Sequence, residues 1–257
     1  MELWSQNHVK TLLPSLIIML ILSIVLKIWL GKKDEKYRMM PFQVVTIILL
    51  ILEVFKQIIS AIRGYDLYHI PLHFCSLFIF LYPVMAFYKG KHKDKVRAVT
   101  TTISASLFLL MLIYPSVIYS GEAIANTFTS FFEFHTVVFH TVATFGFFII
   151  VSLNLHTPAF KKDTLSILIF FTCYCVIAGV MAQLIQTNFN NFLQCNVPPL
   201  EELRLSFITS LGKPLAQTLY VIIVSIVNLI FVNLAYNLFR LLAFIVEKIA
   251  TKFKSTR

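Results

Sequence analysis

A thiol and an imidazole are the least that nucleophilic acyl chemistry requires: the imidazole takes the thiol proton and the thiolate attacks an ester or thioester carbonyl. The chain offers Cys75, just after His69 and His73, and further on His135 and His140. On a helix His73 cannot serve Cys75, because an offset of two residues turns the side chain through about 200°. The partner must come from another element, and His135 or His140 supplies it. Glu133 or Glu53 is then available to orient that imidazole, as the third member of a triad does. Against this stands a plainer reading. Buried cysteines are most often small inert fillers, and the histidines have backbone carbonyls, Thr136 and Thr144 to bond. The remaining cysteines, Cys173, Cys175 and Cys195, make no C-x-x-C, and Cys195 is expected to be a free thiol. There is no Walker loop, no G-x-G-x-x-G and no H-E-x-x-H, so no metal and no cofactor is expected.

What must position these groups follows from the composition. Of 257 residues, 58% are hydrophobic and only 13% charged, where a soluble domain carries about 25% charged residues. With a mean hydropathy of +0.81, such a chain cannot present a soluble surface. That excludes nucleic-acid modules, cytosolic dinucleotide-binding enzymes and disulfide-stapled secreted domains. The fold class is all-α, a polytopic transmembrane bundle forming a single integral membrane domain over 1–257. A helix needs roughly 20 apolar residues to cross a core of about 30 Å. Seven segments meet that length, at about 11–31, 41–62, 69–88, 97–120, 131–153, 163–186 and 215–246. Their unbroken apolar runs lack the alternation of a β-barrel. Pro71 suits the first turn of the third span.

The net charge of +10 is distributed by loop. Fifteen Lys and Arg fall in the 31–38, 89–97 and 161–162 connections and the 248–257 tail, against four (Lys10, Arg63, Arg204 and Lys213) on the other side. This is the positive-inside pattern, with the N-terminus outside and the C-terminus cytoplasmic. The basic loops are therefore topology determinants that meet anionic headgroups, not a nucleic-acid surface.

Polar side chains inside spans each cost a few kcal/mol unless partnered. Glu53 and Lys56, three apart on the second span, share a face and can pair. Spans 3 and 5 both enter from the outside, which puts Cys75 about 9 Å below His69, His135 about 6 Å deep and His140 about 13 Å deep. Gln183, Gln186 and Asn190 form a stripe at the outer end of span 6, and Asn188 follows it. Glu53, Lys56, His69, His73, Glu133, Gln183 and Asn188 are thus expected to line one outward-facing cavity with Cys75, His135 and His140. Almost nothing comparable is expected in the inner half.

These residues carry a resemblance. Trp4-Ser5-Gln6-Asn7-His8, Pro71-Leu72-His73-Phe74-Cys75-Ser76, Phe131-Phe132-Glu133-Phe134-His135 and Thr187-Asn188-Phe189, with the later Pro199 and Leu211-Gly212, occur in that order. The set resembles the YwaF-type bacterial integral membrane proteins, which are related to the eukaryotic transmembrane protein 164 acyltransferases. The resemblance covers nearly the whole chain and implies a six- or seven-helix protein of a bacterial cell membrane. It also implies a Cys/His acyltransferase that moves acyl chains between membrane phospholipids. By position Cys75 would be the nucleophile and His135 the base, with Thr136 standing where the family often has Gly. Beside a non-catalytic membrane assembly subunit, two functions are therefore expected to compete. One is a lipid acyltransferase or acyl hydrolase working through Cys75. The other is a transporter or solute- or lipid-binding protein that uses the Glu/Lys/His cavity and needs no thiol.

Overall fold

In the computed structural model, which describes residues 4–196 and 198–255, the described chain is helical and contains no strand. The elements are α1 (Gln6–Leu30), α2 (Glu35–Ile62), α3 (Phe78–Phe87), α4 (Lys93–Ile113), α5 (Gly121–Ala125), α6 (Phe131–Ser152), α7 (Phe160–Ile185), α8 (Pro198–Leu211) and α9 (Lys213–Ser255). Among the described residues, six of these, α1, α2, α4, α6, α7 and α9 up to Ile245, are long and apolar enough to cross a membrane. Of the tail cations that shaped the topology expectation, Arg257 lies outside the described residues.

The third expected span is the correction. Residues 69–88 do not form one helix. A 3₁₀ turn at Leu67–His69 leads into a non-helical stretch, a second 3₁₀ turn at Phe74–Leu77 and the ten-residue α3. At 1.5 Å per residue α3 spans about 15 Å, half a bilayer core. Pro71 does not open a helix; it sits in the irregular stretch, where Leu72 N–H bonds back to the Ile70 carbonyl at 2.7 Å. A backbone without helical bonds survives among transmembrane helices only where protein groups serve it or it borders a cavity, and here both hold. Gln57 Nε2 donates to the His69 carbonyl (2.8 Å), Tyr174 Oη to the Leu72 carbonyl (3.0 Å) and His73 Nε2 to the Tyr68 carbonyl (2.9 Å).

α4 is the axis of the bundle. Every residue from Ala98 to Leu107 is buried, and the helix packs against α3, α6, α7 and α9. Its Ala, Ser and Thr side chains allow close approach of neighbouring backbones. Three of their hydroxyls are absorbed locally: Thr102, Ser104 and Ser106 donate to the carbonyls of Ala98, Thr100 and Thr102 at 2.7–2.9 Å. Tyr82 of α3 is fully buried beside it, donating to the Ala143 carbonyl at 2.6 Å with Ser104 Oγ at 3.0 Å. Gly146 makes room for that ring, since a Cβ there would lie 2.5 Å from Tyr82 Cε2. The outer helices behave differently. α1 leaves Ile17, Ile18, Leu20 and Ile21 about half exposed, as expected for a helix whose outer face meets lipid.

The N-terminal residues fasten α1 to the last turn of α4 and to the chain between α4 and α6. Ser5 caps the helix in a reciprocal box with His8, whose Nε2 donates to the Tyr119 carbonyl at 2.9 Å. Asn7 Nδ2 donates to the Gly121 carbonyl and Trp4 Nε1 to the Leu112 carbonyl. At the same end of the bundle, α7 stops at Ile185 with Gln186 in the left-handed region (φ 53°). The expected Gln183–Gln186–Asn190 stripe is therefore not a helical stripe, because the helix ends inside it. α8 and α9 meet at Gly212, whose φ of +76° favours glycine.

Candidate active site in a polar cavity between α2, α6 and the 187–196 loop

A cavity of about 460 Å³ gathers most of the candidate residues. Glu53 and Lys56 reach it from α2, His69, His73 and Cys75 from the irregular stretch, Glu133, His135 and His140 from α6, and Asn188 from the loop after α7. Gln183 is not among the lining residues. Its amide donates to the Phe192 carbonyl at 2.8 Å, holding the loop instead.

Glu53 is the hub. It is buried, with Oε1 2.9 Å from Lys56 Nζ and accepting from Gln57 Nε2 at 2.7 Å. Gln57 is held in turn by Tyr65 Oη, which donates to its Oε1 at 2.6 Å. The second Glu53 oxygen, Oε2, faces His135 Nε2 at 3.7 Å, beyond hydrogen-bond length. That nitrogen is buried and makes no hydrogen bond to any described residue. The His135 ring stacks on Phe139, with centroids 5.2 Å apart.

One helical turn further on, His140 Nδ1 lies 2.6 Å from the Thr136 carbonyl oxygen. A carbonyl only accepts, so Nδ1 carries a proton. The same logic applies to His73, whose Nε2 donates to Tyr68. His69 Nδ1 is bonded to Ser60 Oγ at 2.6 Å and its ring stacks on Phe132. Burial lowers the pKa of His73 and of His69 below the ordinary 6.5, and the Lys56 charge adds to both shifts.

Cys75 is a half-buried free thiol, and so is Cys195; Cys173 is exposed and Cys175 buried, both unpaired. No hydrogen bond joins the Cys75 thiol to an imidazole among the described residues. The expectation that helical geometry separates His73 from Cys75 does not apply, since residues 70–73 are not helical. Among the described residues no three His, Cys, Asp or Glu side chains converge as a metal site. Leu107, Leu110, Phe171, Phe231 and Val232 add apolar lining to the cavity.

A family model described as the TMEM164 family matches residues 3–236, nearly the entire chain. The chain belongs to the TMEM164 family. No curated protein and no solved structure matches it. As a TMEM164-family protein with several apolar helices it is a multi-pass membrane protein.

Sequence reasoning passed over Tyr68, Asn191, Asn196 and Asn228, which also line the cavity. Asn228 carried a usable signal, being an amide in the middle of an apolar span. It also passed over Asp163. This residue reads as a surface acid beside Lys161 and Lys162, yet it is buried at the far end of the bundle, bonded to Tyr236 and next to His156. The expectation of an apolar inner half is corrected accordingly.

Proposed function

We propose that this protein is a membrane-embedded acyltransferase or acyl hydrolase acting on phospholipid esters, with Cys75 as nucleophile and His135 as base. The observation that carries the reading is the meeting of a free thiol, two buried imidazoles and apolar lining in one cavity. An acyl ester needs all three: a nucleophile, a proton carrier and a greasy surface for its chain. Of the two imidazoles, His135 has the carboxylate neighbour. With Nε2–H directed at Glu53 Oε2, its other nitrogen is free to act as base, and the carboxylate stabilises the imidazolium that forms. Such contacts are often long without substrate and tighten in the reacting complex. His140, its Nδ1 bonded to Thr136, is the second imidazole of the same cavity.

In the first step His135 takes the Cys75 proton and sulfur attacks the ester carbonyl. The S–C bond forms, the ester C–O bond breaks and the departing alkoxide takes the proton from the imidazolium. Water or a second lipid hydroxyl then releases the acyl group. If the basic loops are cytoplasmic, as the charge distribution favours, the cavity opens to the outer leaflet of a cell membrane. The test is purified protein in lipid nanodiscs with an acyl-labelled phospholipid. A hydroxylamine-sensitive adduct on Cys75 is expected, and Cys75→Ser and Cys75→Ala should both abolish turnover. Intact turnover in both variants overturns the assignment.

The Glu53–Lys56 pair, buried beside a broken helix, supports a second reading as a transporter or solute-binding protein. Under it Glu53→Gln cripples flux in a pH-dependent way and Cys75→Ala changes nothing.

A further inference from the structure

The side chains that line the cavity change in chemistry along the chain. Every titratable side chain lining it lies between residues 53 and 140. The lining residues after 140 contribute no charge at all: they are three apolar side chains and five asparagines, Asn188, Asn190, Asn191, Asn196 and Asn228, four of them in the one loop after α7.

The loop asparagines are held in place at some cost. Asn190 and Asn191 have φ of 47° and 61°, a left-handed backbone that asparagine tolerates better than most residues but still disfavours. Neighbouring helices over-determine the loop. Tyr220 Oη donates to the Asn191 carbonyl at 2.6 Å, Gln217 Nε2 to the Phe192 and Leu193 carbonyls, and Asn188 Oδ1 accepts from the amides of Leu193 and Gln194. Asn190 Nδ2 is buried and finds no hydrogen-bond partner. Strain kept in place beside an unmet donor is characteristic of ligand-binding backbone.

A phosphate or carboxylate would be met by Lys or Arg, and an amine by a carboxylate. Side-chain amides offer one donor group and one acceptor without charge, the complement of hydroxyls, which also do both. We propose that the asparagine lining is the acyl-acceptor subsite and that the acceptor is a lipid with an uncharged polyhydroxyl headgroup, a sugar or glycerol. The inference rests on the acyl-transfer reading. One acceptor hydroxyl gives its proton to His135 while its oxygen attacks the thioester carbonyl on Cys75. The C–O bond forms, the C–S bond breaks, and the thiolate recovers the proton from the imidazolium.

The experiment uses the full chain in nanodiscs with acyl-labelled phospholipid as donor. Four acceptors are offered in turn: a monoacyl glucosyl glycerolipid, lysophosphatidylethanolamine, lysophosphatidic acid and free glucose. Transfer to the glucosyl lipid is expected at least tenfold faster than to either charged lysolipid. Asn190→Gly, which keeps the left-handed backbone while removing the amide, and Asn228→Leu should each cut that transfer at least tenfold. Both should leave the Cys75 adduct formed without acceptor unchanged. Equal use of the charged lysolipids overturns the headgroup assignment, and labelled acyl glucose overturns its membrane origin. Parallel loss of adduct and transfer in both variants removes the asparagines from the acceptor step. Absence of any adduct in the unaltered protein overturns the acyl-transfer reading itself, and this inference with it.

Discussion

At the end of the bundle where α6 passes into α7, the carboxylate of Asp163 accepts from Ala159 N–H at 2.7 Å and Tyr236 Oη at 2.9 Å, with His156 Nε2 at 3.2 Å. Its partners come from the helix start it caps, the preceding loop and α9. At the opposite end Glu53 is just as buried, yet its Oε2 faces an imidazole 3.7 Å away, across which no hydrogen bond forms. The first carboxylate ties elements together, favoured further by the N-terminal dipole of α7. The second borders a cavity, while the imidazole nitrogen beside each carboxylate, His156 Nε2 or His135 Nε2, is buried without a hydrogen bond. In a membrane interior both arrangements bear the desolvation cost of a buried acid, and Glu53 recovers its share through Oε1, which meets Lys56 Nζ and Gln57 Nε2 within its own helix.

The comparison breaks most visibly at Cys75. Cys75→Ser is expected to reduce acyl transfer by at least about 10³-fold while the unfolding midpoint in nanodiscs stays put; a large fall in that midpoint would make Cys75 a packing residue. Asp163→Ala should do the reverse. It strands the Tyr236 hydroxyl and the Ala159 amide and should cost about 3 kcal/mol in denaturant titrations, with transfer per folded molecule retained. If transfer disappears while stability holds, the two ends have been assigned the wrong way round.

Gly146→Ala sharpens the division by loading the packed centre alone. The new methyl meets the Tyr82 ring, so about 1–3 kcal/mol of stability should be lost by overpacking; a neutral result would mean that the ring moves freely. The smallest effect concerns pH. Burial holds His73 and His69 below 6.5, so the unfolded chain takes up protons first. Stability contributed by these sites is full above about pH 6.5 and declines as pH falls towards the lowered native values. Replacing His73 with Gln should flatten that acid limb of the melting profile.

Much of this was legible in the residues. Run length gave the membrane class and placed α1, α2, α4, α6, α7 and α9, since crossing a hydrocarbon core demands about 20 apolar residues whatever the neighbours are. The cost of polar groups in lipid pointed to Glu53, Lys56, His135 and His140, and the cavity does gather them. The same rule misjudged Gln183, which faces a backbone carbonyl, and missed Asp163, whose position beside two lysines conceals that it folds inward. Length also read 69–88 as a span, because hydropathy averages over a stretch whose backbone is irregular for half its length.

The sequence by itself determined that this chain lives in a membrane and which side chains are too costly to stand alone there, for both follow from transfer energies that belong to each residue. Only the tertiary structure decided who partners whom. Gln57, Tyr174 and the His73 ring had to converge on the 67–77 backbone before α3 could be half a helix, and Gln217 and Tyr220 had to reach across from α9 before the loop asparagines could line the same cavity as Cys75. Such pairings join residues distant in the chain, and their energy exists only once the helices have packed.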